Sequence, residues 1–306
     1  MMDKKYVVAI GNVSADNYYR CLQDIVVGDK FFVRFQETLP GGMVANAACV
    51  MSMLGTPVFM FTALGDDEDT ELLLGSFTKY GVDTRFVHVL PGYVNMRTAI
   101  LLNPDNGERT IMLYENRQKP VAVLDVDACK TLKNASFIYG LMSDFKTFPN
   151  HQQLFSACKS NGVRIMLDAE CSTFTSGACI DDQFYFELAD IISLNEVAAE
   201  QYGSEEDLNK LSYARIVLVT LGSQGCRILS NGQEIRLPAY DIVPEDTTGA
   251  GDTFNGAFLH AYLAGWPLLE TGRFAIAAAN RSILYTGARS GAVTQNEVED
   301  FMKQHV

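Results

Sequence analysis

No run of basic residues occurs anywhere in the 306-residue chain, and 24 Lys and Arg are set against 37 Asp and Glu, a formal charge of −13. Such an acidic surface repels a phosphate backbone, which excludes nucleic acid as a partner. No Cys-x-x-Cys pair exists among Cys21, Cys49, Cys129, Cys158, Cys171, Cys179 and Cys226, which are odd in number and scattered. Reduced thiols in a cytoplasmic protein are therefore expected, not a disulfide frame. The four histidines are isolated and lack metal-ligand spacing. No secretory leader is expected: Met1 to Ile10 carries two lysines and passes straight into a short apolar run and Gly11, with no cleavage site after it. The longest uncharged stretch, Thr38 to Gly65, is interrupted by Pro40-Gly41-Gly42, Asn46 and Gly55-Thr56-Pro57. It reads as loop, helix and strand, so no membrane span is expected.

What is present is an apolar fraction of 48% with a mean hydropathy of +0.04, which suits a soluble protein with a full-sized core. Tyr6–Ile10 is a short apolar run ending at glycine and reads as a buried strand. Strands are also expected at Val58–Ala63, Phe137–Tyr139, Arg164–Leu167, Ile191–Leu194 and Ile216–Thr220. Helices such as Ala45–Leu54, Glu71–Tyr80 and His151–Lys159 lie between them. This alternation predicts a parallel sheet covered on both faces. Lys30–Phe35 and Met96–Leu102 are β-rich, and Met96–Leu102 pairs with Arg109–Tyr114 across Pro104-Asp105-Asn106-Gly107, giving a small separate sheet. Arg227–Ser230 and Glu234–Leu237 flank Asn231-Gly232 as a second hairpin. The last third is helical: Ala250–Ala264, Leu268–Thr286 and Gln295–Gln304. Neither repeats nor low-complexity linkers divide the chain, so one α/β domain spanning 1–306 with β insertions near 14–37 and 92–118 is expected.

The chemistry concentrates in Asp246-Thr247-Thr248-Gly249-Ala250-Gly251-Asp252-Thr253-Phe254-Asn255-Gly256-Ala257-Phe258. Gly249 and Gly251 let the backbone turn tightly and approach a ligand. The helix that follows carries Phe254, Ala257, Phe258 and Ala261 on one apolar stripe, and Gly265 with Pro267 stops it. Unpaired N–H groups at such a helix start suit an anion. Asp252 stands one residue past that turn. It either complements the helix dipole or accepts the proton of a hydroxyl that attacks a phosphoryl group held by the N–H groups. A dinucleotide fingerprint fails, because Phe254 stands where its third glycine belongs, and no Walker A motif exists.

This long segment closely resembles the C-terminal signature of the ribokinase-like carbohydrate kinases, the PfkB family. Further matches follow in order along nearly the whole chain. Pro40-Gly41-Gly42-Met43-Val44-Ala45-Asn46-Ala47-Ala48 resembles the family's N-terminal Gly-Gly-x-x-x-Asn signature. Gly11 with Asp16 resembles the opening substrate loop, Leu64-Gly65-Asp66-Asp67 a strand end, and Thr220-Leu221-Gly222-Ser223-Gln224-Gly225 the nucleotide-site turn.

The resemblance implies a ribokinase-like α/β fold whose small β-sheet is a lid, and transfer of a phosphoryl group from ATP to a hydroxyl of a small sugar or sugar acid. It makes Asp252 the base and Gly249, Ala250 and Gly251 the anion hole. Asp16, Gly41, Gly42 and Asn46 would bind the sugar, and Asn195, Thr220, Gly222, Gly225 and Asn280 would lie along ATP. It also implies Mg²⁺ on the phosphates, linked to Glu196, and often a potassium-like ion near Asp246 and Thr248. Arg97 and Arg109 fall in the lid hairpin, where a guanidinium either grips a carboxylate or phosphate on the acceptor or pairs with Glu108 or Glu115. The chain departs from the family pattern at Ala198, which replaces the last residue of Asn-x-x-Glu, and at Met43 and Ser14, where ribose-specific members carry a basic residue and Asn. A nucleoside kinase of the same family and a nucleotide- or sugar-binding relative with weak turnover are the alternatives. The exposed edge of the lid sheet leads to the expectation of a homodimer.

Overall fold

The computed structural model describes residues 5–25, 28, 30–103, 109–114, 120–169 and 183–305. Short apolar runs become strands buried on both faces. Within β1 (Val7–Ile10), Val7 and Ala9 enter one core while Val8 and Ile10 enter the other. β1 lies between β4 (Val58–Leu64) and β8 (Phe137–Leu141), parallel to both. Beyond β4 lies β5 (Asp83–Val89). Beyond β8 lie β9 (Arg164–Asp168), β10 (Ile191–Asn195) and β11 (Ile216–Thr220), again parallel. The sheet ends in an antiparallel pair, β12 (Cys226–Ser230) and β13 (Gln233–Leu237). Asn231 and Gly232 join that pair with φ of 52° and 71°, the left-handed geometry that an Asn-Gly turn supplies.

One face of the sheet is covered by α1 (Met43–Met53), α2 (Thr70–Lys79), α9 (Ala250–Leu263), α10 (Leu268–Ser282) and α11 (Gln295–Gln304). The other is covered by α3 (Val126–Lys133), the short α4 (Met142–Phe145), α5 (His151–Ser160), α6 (Gln183–Leu188), α7 (Glu196–Tyr202) and α8 (Glu205–Ser212). This is the expected mostly parallel sheet between two helical layers. Chain order runs outward in both directions from β1 and β8, and the carboxyl ends of strands around such a reversal collect ligands. No described helix is long and apolar enough to cross a membrane.

A second sheet has the order β3-β2-β6-β7, built from β2 (Ser14–Cys21), β3 (Val33–Gly41), β6 (Met96–Leu102) and β7 (Arg109–Leu113). Its inner side packs Tyr18, Ile100 and Leu102 around Leu39. All five residues of β7 are exposed, as are the first five of β3. Three local expectations shift. The strand read at Lys30–Phe35 runs from Val33 to Gly41, because antiparallel pairing with β2 carries it on to Gly41 opposite Ser14. Asp16 lies within β2 and not in a loop. The helix read to Thr286 stops at Ser282. The turn Pro104–Gly107, together with Glu108 and Glu115, lies outside the described residues.

Candidate active site

Gly249 caps α9 with φ 78° and ψ 5°. This left-handed residue turns the chain sharply into the helix. An added Cβ there would also collide with the Ala288 carbonyl, so turn and packing both demand glycine. Among the described residues, nothing lies within 4 Å of an added Cβ at Gly251, which opens a space in front of the first helical turn. The first N–H groups of a helix have no carbonyl one turn back. Ala250 makes only a long contact, 3.4 Å, from its N–H to the Thr247 carbonyl. The turn is thus a pocket of backbone donors.

Every residue of α9 from Asp252 to Ala261 is buried. The helix packs so tightly on α1 that a Cβ at Gly256 would stand 2.8 Å from the Ala47 carbonyl. This close approach puts α1 within reach of the helix start, and Asn46 Nδ2 donates to Asp252 Oδ2 at 2.8 Å. Asn46 Oδ1 accepts from Arg289 Nε at 3.0 Å. Arg289 is itself buried, donates to the Gly41 carbonyl at 2.9 Å and to Ser76 Oγ, and lies 5.2 Å over the Phe77 ring.

Behind the pocket, Asn255 Nδ2 donates to Asp168 Oδ2 at 2.9 Å, and its Oδ1 accepts from Ser193 Oγ at 2.7 Å. The Tyr139 hydroxyl donates to the same Asp168 oxygen at 3.0 Å. Burial, together with the charges of Asp168 and Asp252, pushes the Tyr139 phenol well above its usual range, so it stays a donor. These groups join α9 to the carboxyl ends of β8, β9 and β10. Buried polar groups persist only when partnered, and this set is partnered internally.

On the small sheet, Ser14 Oγ and Thr98 Oγ1 each donate to Asp16 Oδ1 at 2.7 Å. Asp16 is buried, and its desolvation raises its pKa despite these bonds and the nearby Arg289 charge. An added Cβ at Gly41 would fall inside the Asp16 carboxylate. Gly42 has φ 99° and leaves only 2.6 Å between an added Cβ and the Asn12 carbonyl. Asn12 Nδ2 in turn donates to the buried Asp144 at 2.9 Å. The structure therefore brings Asp16, Gly41, Gly42, Asn46 and Asp252 together.

Arg97 lies on β6, where its Nε holds Asp69 at 2.6 Å and its Nη2 holds Glu68 at 2.5 Å, so this guanidinium pairs with carboxylates just beyond β4. Arg109 instead crosses from the lid to donate to Thr247 Oγ1 at 2.6 Å, in the loop that leads into the donor pocket. The lid is also tied at its base. Asn95 donates to Asp67 from its backbone at 2.8 Å and from its side chain at 2.6 Å, and accepts from the Gly65 N–H at 2.8 Å.

Of the residues expected along ATP, Asn195 and Thr220 are register partners at neighbouring strand ends. Asn195 caps α7 by accepting from the Ala198 N–H at 2.8 Å, and Ala198 itself packs in the core. Glu196 is exposed in the first turn of that helix. Gly222 and Gly225 bound a single 3₁₀ turn. Asn280, on α10, accepts from the Tyr240 N–H at 2.8 Å, which leaves its amide donors.

Asp246 is buried and takes the Thr248 N–H on one oxygen and the Gly287 N–H on the other, both at 2.8 Å. Among the described residues, Thr248 Oγ1 and the Tyr18 hydroxyl are buried without a hydrogen-bond partner, and Tyr18 lies beside Thr248 and Ala288 with Asp246 near. Sequence reasoning gave no role to Arg289, Asp168, Ser193, Tyr139 or Asn255, although Asn255 lies within the segment that carries the chemistry. The residue types carried no signal of their own, because each matters through partners far away in the chain.

Residues 4–295 match the family described as pfkB family carbohydrate kinase. The ribokinase of Bacillus subtilis is 27% identical over 282 residues, 91% of each chain. An Escherichia coli protein solved with ATP and Mg²⁺ superposes with a TM-score of 0.83 at 21% identity, covering 98% of this chain and all of that one. The Arabidopsis thaliana ribokinase solved with ribose and ATP gives 0.78 at 24% identity, over 98% and 99% of the two chains. At these identities the two structures share the fold with this one.

Proposed function

This chain belongs to the pfkB family of carbohydrate kinases, and from that premise we propose that it transfers the γ-phosphoryl group of ATP to a hydroxyl of a small neutral sugar. One observation carries the reading: a buried carboxylate, Asp252, stands beside an open pocket of backbone donors at the start of α9. The acceptor hydroxyl gives its proton to Asp252 as it attacks. The N–H groups of Gly249, Ala250 and Gly251 meet the charge on the migrating phosphoryl, aided by the helix dipole. General-base assistance contributes about 10²–10⁴ in rate, and the remainder comes from alignment and charge stabilisation.

Asp16, Gly41, Gly42 and Asn46 hold the sugar. With Asp16, Asp144 and Asp252 all buried at this end of the cleft and Arg97 engaged elsewhere, a neutral polyol fits better than a sugar acid. ATP lies along Asn195, Thr220, Gly222, Gly225 and Asn280. Arg109, already at Thr247, reaches the phosphoryl path from the lid.

Among the described residues, no group of three or more His, Cys, Asp or Glu side chains is arranged to hold a metal. A Mg²⁺ carried by the phosphates would find the exposed Glu196 carboxylate, in the first turn of α7, as its protein-side oxygen donor. When bound, the ion neutralises phosphate charge. The buried, unpartnered oxygens of Thr248 and Tyr18 beside Asp246 fit a monovalent cation, and turnover should be higher in K⁺ than in a bulky organic cation. The outer lid face exposes Phe35 and Met112, and a second copy covers it. Light scattering should find a dimer that Phe35→Glu converts to monomer.

The deciding experiment is ADP release across pentoses, hexoses, keto-deoxy acids and nucleosides. Turnover with a neutral sugar is the expected result. Nucleotide binding without ADP release on any acceptor would remove the kinase reading.

A further inference from the structure

Arg289 is the least expected group near the chemistry: a buried guanidinium on the loop after α10, donating to three other parts of the fold. It donates to Gly41 at the end of β3, Asn46 on α1 and Ser76 on α2, with the Phe77 ring beneath it. Its own loop is braced as well, since Gly287 N–H is held by Asp246 and Ala288 abuts the Gly249 turn. We infer that Arg289 is a positioning residue for the catalytic base, acting through the Asn46 carboxamide.

The argument is one of hydrogen-bond polarity. A guanidinium only donates, so the face of Asn46 turned to Arg289 must be the oxygen. The amide nitrogen must then face Asp252, where its N–H meets a carboxylate oxygen at 2.8 Å. Rotating the carboxamide by half a turn would set donor against donor at Arg289 and acceptor against acceptor at Asp252. Both contacts would fail together. Arg289 thus selects one of two Asn46 orientations, and that orientation aims the base. The same guanidinium holds the Gly41 carbonyl, so the acceptor loop and the base are referenced to one rigid group. Arg289 touches neither reactant in this account.

Lysine keeps the charge but lacks the planar fork, so it cannot hold Asn46, Gly41 and Ser76 at once. Misplacing a reacting group by about 1 Å can cost on the order of a hundredfold in rate. The inference rests on the kinase reading, and its test has one arm that does not.

In the kinetic arm, Arg289→Lys should lower kcat by at least about tenfold while leaving the KM for ATP within about twofold. In an Asn46→Ala background the same change should lower kcat by less than about twofold, because the relay is already cut. Thermal melts of all four proteins keep folding losses separate from kcat. An equal drop in both backgrounds, or none in either, overturns the inference.

In the structural arm, a crystal structure of Arg289→Met should show the Asn46 carboxamide turned away from Asp252. If the Arg289→Met protein does not fold, the Arg289→Lys crystal serves the same purpose. A retained Asn46–Asp252 hydrogen bond overturns the inference whatever acceptor the enzyme uses. A wild-type protein that phosphorylates nothing would sink the kinase reading and leave this arm to decide the relay.

Discussion

The two walls of the cleft are built in opposite ways. On the acceptor wall, Asp16, Asn46 and Asp252 are buried, fixed by side-chain hydrogen bonds, and set against glycines that admit no Cβ. On the nucleotide wall, Asn195, Thr220 and Asn280 are half-exposed and Gly222 is exposed with open space around an added Cβ, while Gly225 admits none only because the chain's own Leu237 carbonyl stands 2.0 Å away. The first wall is a preformed mould in which charge is desolvated before substrate arrives. The second is a strand-end shelf whose main resource is backbone. Selectivity for the acceptor should therefore be sensitive to single atoms, and nucleotide binding should be tolerant of them.

The largest expected effect breaks the acceptor wall at its chemical centre. Asp252→Asn keeps the shape and an acceptor oxygen for Asn46 but removes the base, and kcat should fall at least about a hundredfold with ATP affinity nearly intact. Near-normal turnover would take Asp252 out of the mechanism.

Asp16→Asn separates binding from stability on the same wall. Losing the ionised acceptor should raise the sugar KM by about tenfold or more, since hydrogen bonds to charged groups contribute about 1.5–3 kcal/mol. Stability should move the other way. Burial raises the Asp16 pKa above its ordinary 3.8, so the folded state holds this proton to higher pH than the unfolded chain. Ionised Asp16 therefore destabilises the fold. That penalty is absent below the unfolded value, grows as pH rises through the window up to the folded value, and is complete above it. At pH 7 the Asn variant should therefore melt higher, and the gap should close on acidification below the ordinary carboxylate pKa. A variant that melts lower at pH 7 would show that the carboxylate stabilises the wall.

Much of this arrangement was readable from residue order. The glycine turn, the apolar stripe of α9 and the alternation of strands and helices are local patterns that placed Asp252 and the parallel sheet, while Asn46 was legible only through the family resemblance. Strand β2 was not readable: Ser14, Asp16 and Asn17 look like loop residues, and they are strand residues only because partners from β3 and β6 satisfy them. Arg289 has the composition of a solvent-facing loop residue, yet its hydrogen-bond partners are more than 200 residues distant in sequence. Asp168, Ser193, Tyr139 and Asn255 meet across four elements, and no single segment carries that information. Arg97 lies in the lid hairpin as read, but its partners Glu68 and Asp69 come from the body and could not be read from the lid segment.

A pair of glycine substitutions tests the contrast between the walls most directly. At Gly41 an added methyl group enters the Asp16 carboxylate. Overpacking of that kind costs about 1–3 kcal/mol, so Gly41→Ala should raise the sugar KM by roughly tenfold while the KM for ATP stays within about twofold. At Gly222 the added methyl meets nothing within 4 Å among the described residues, but φ is +55°. The penalty there is conformational, about 1–2 kcal/mol for a left-handed residue with a Cβ. It falls on the folded state with and without nucleotide alike, so it should lower Tm by a few degrees and leave both KM values within about twofold. Steady-state kinetics on both variants compare the walls on one scale. A large rise in the KM for ATP from Gly222→Ala would mean that the nucleotide shelf is also a close-fitting mould, and the asymmetry would be lost.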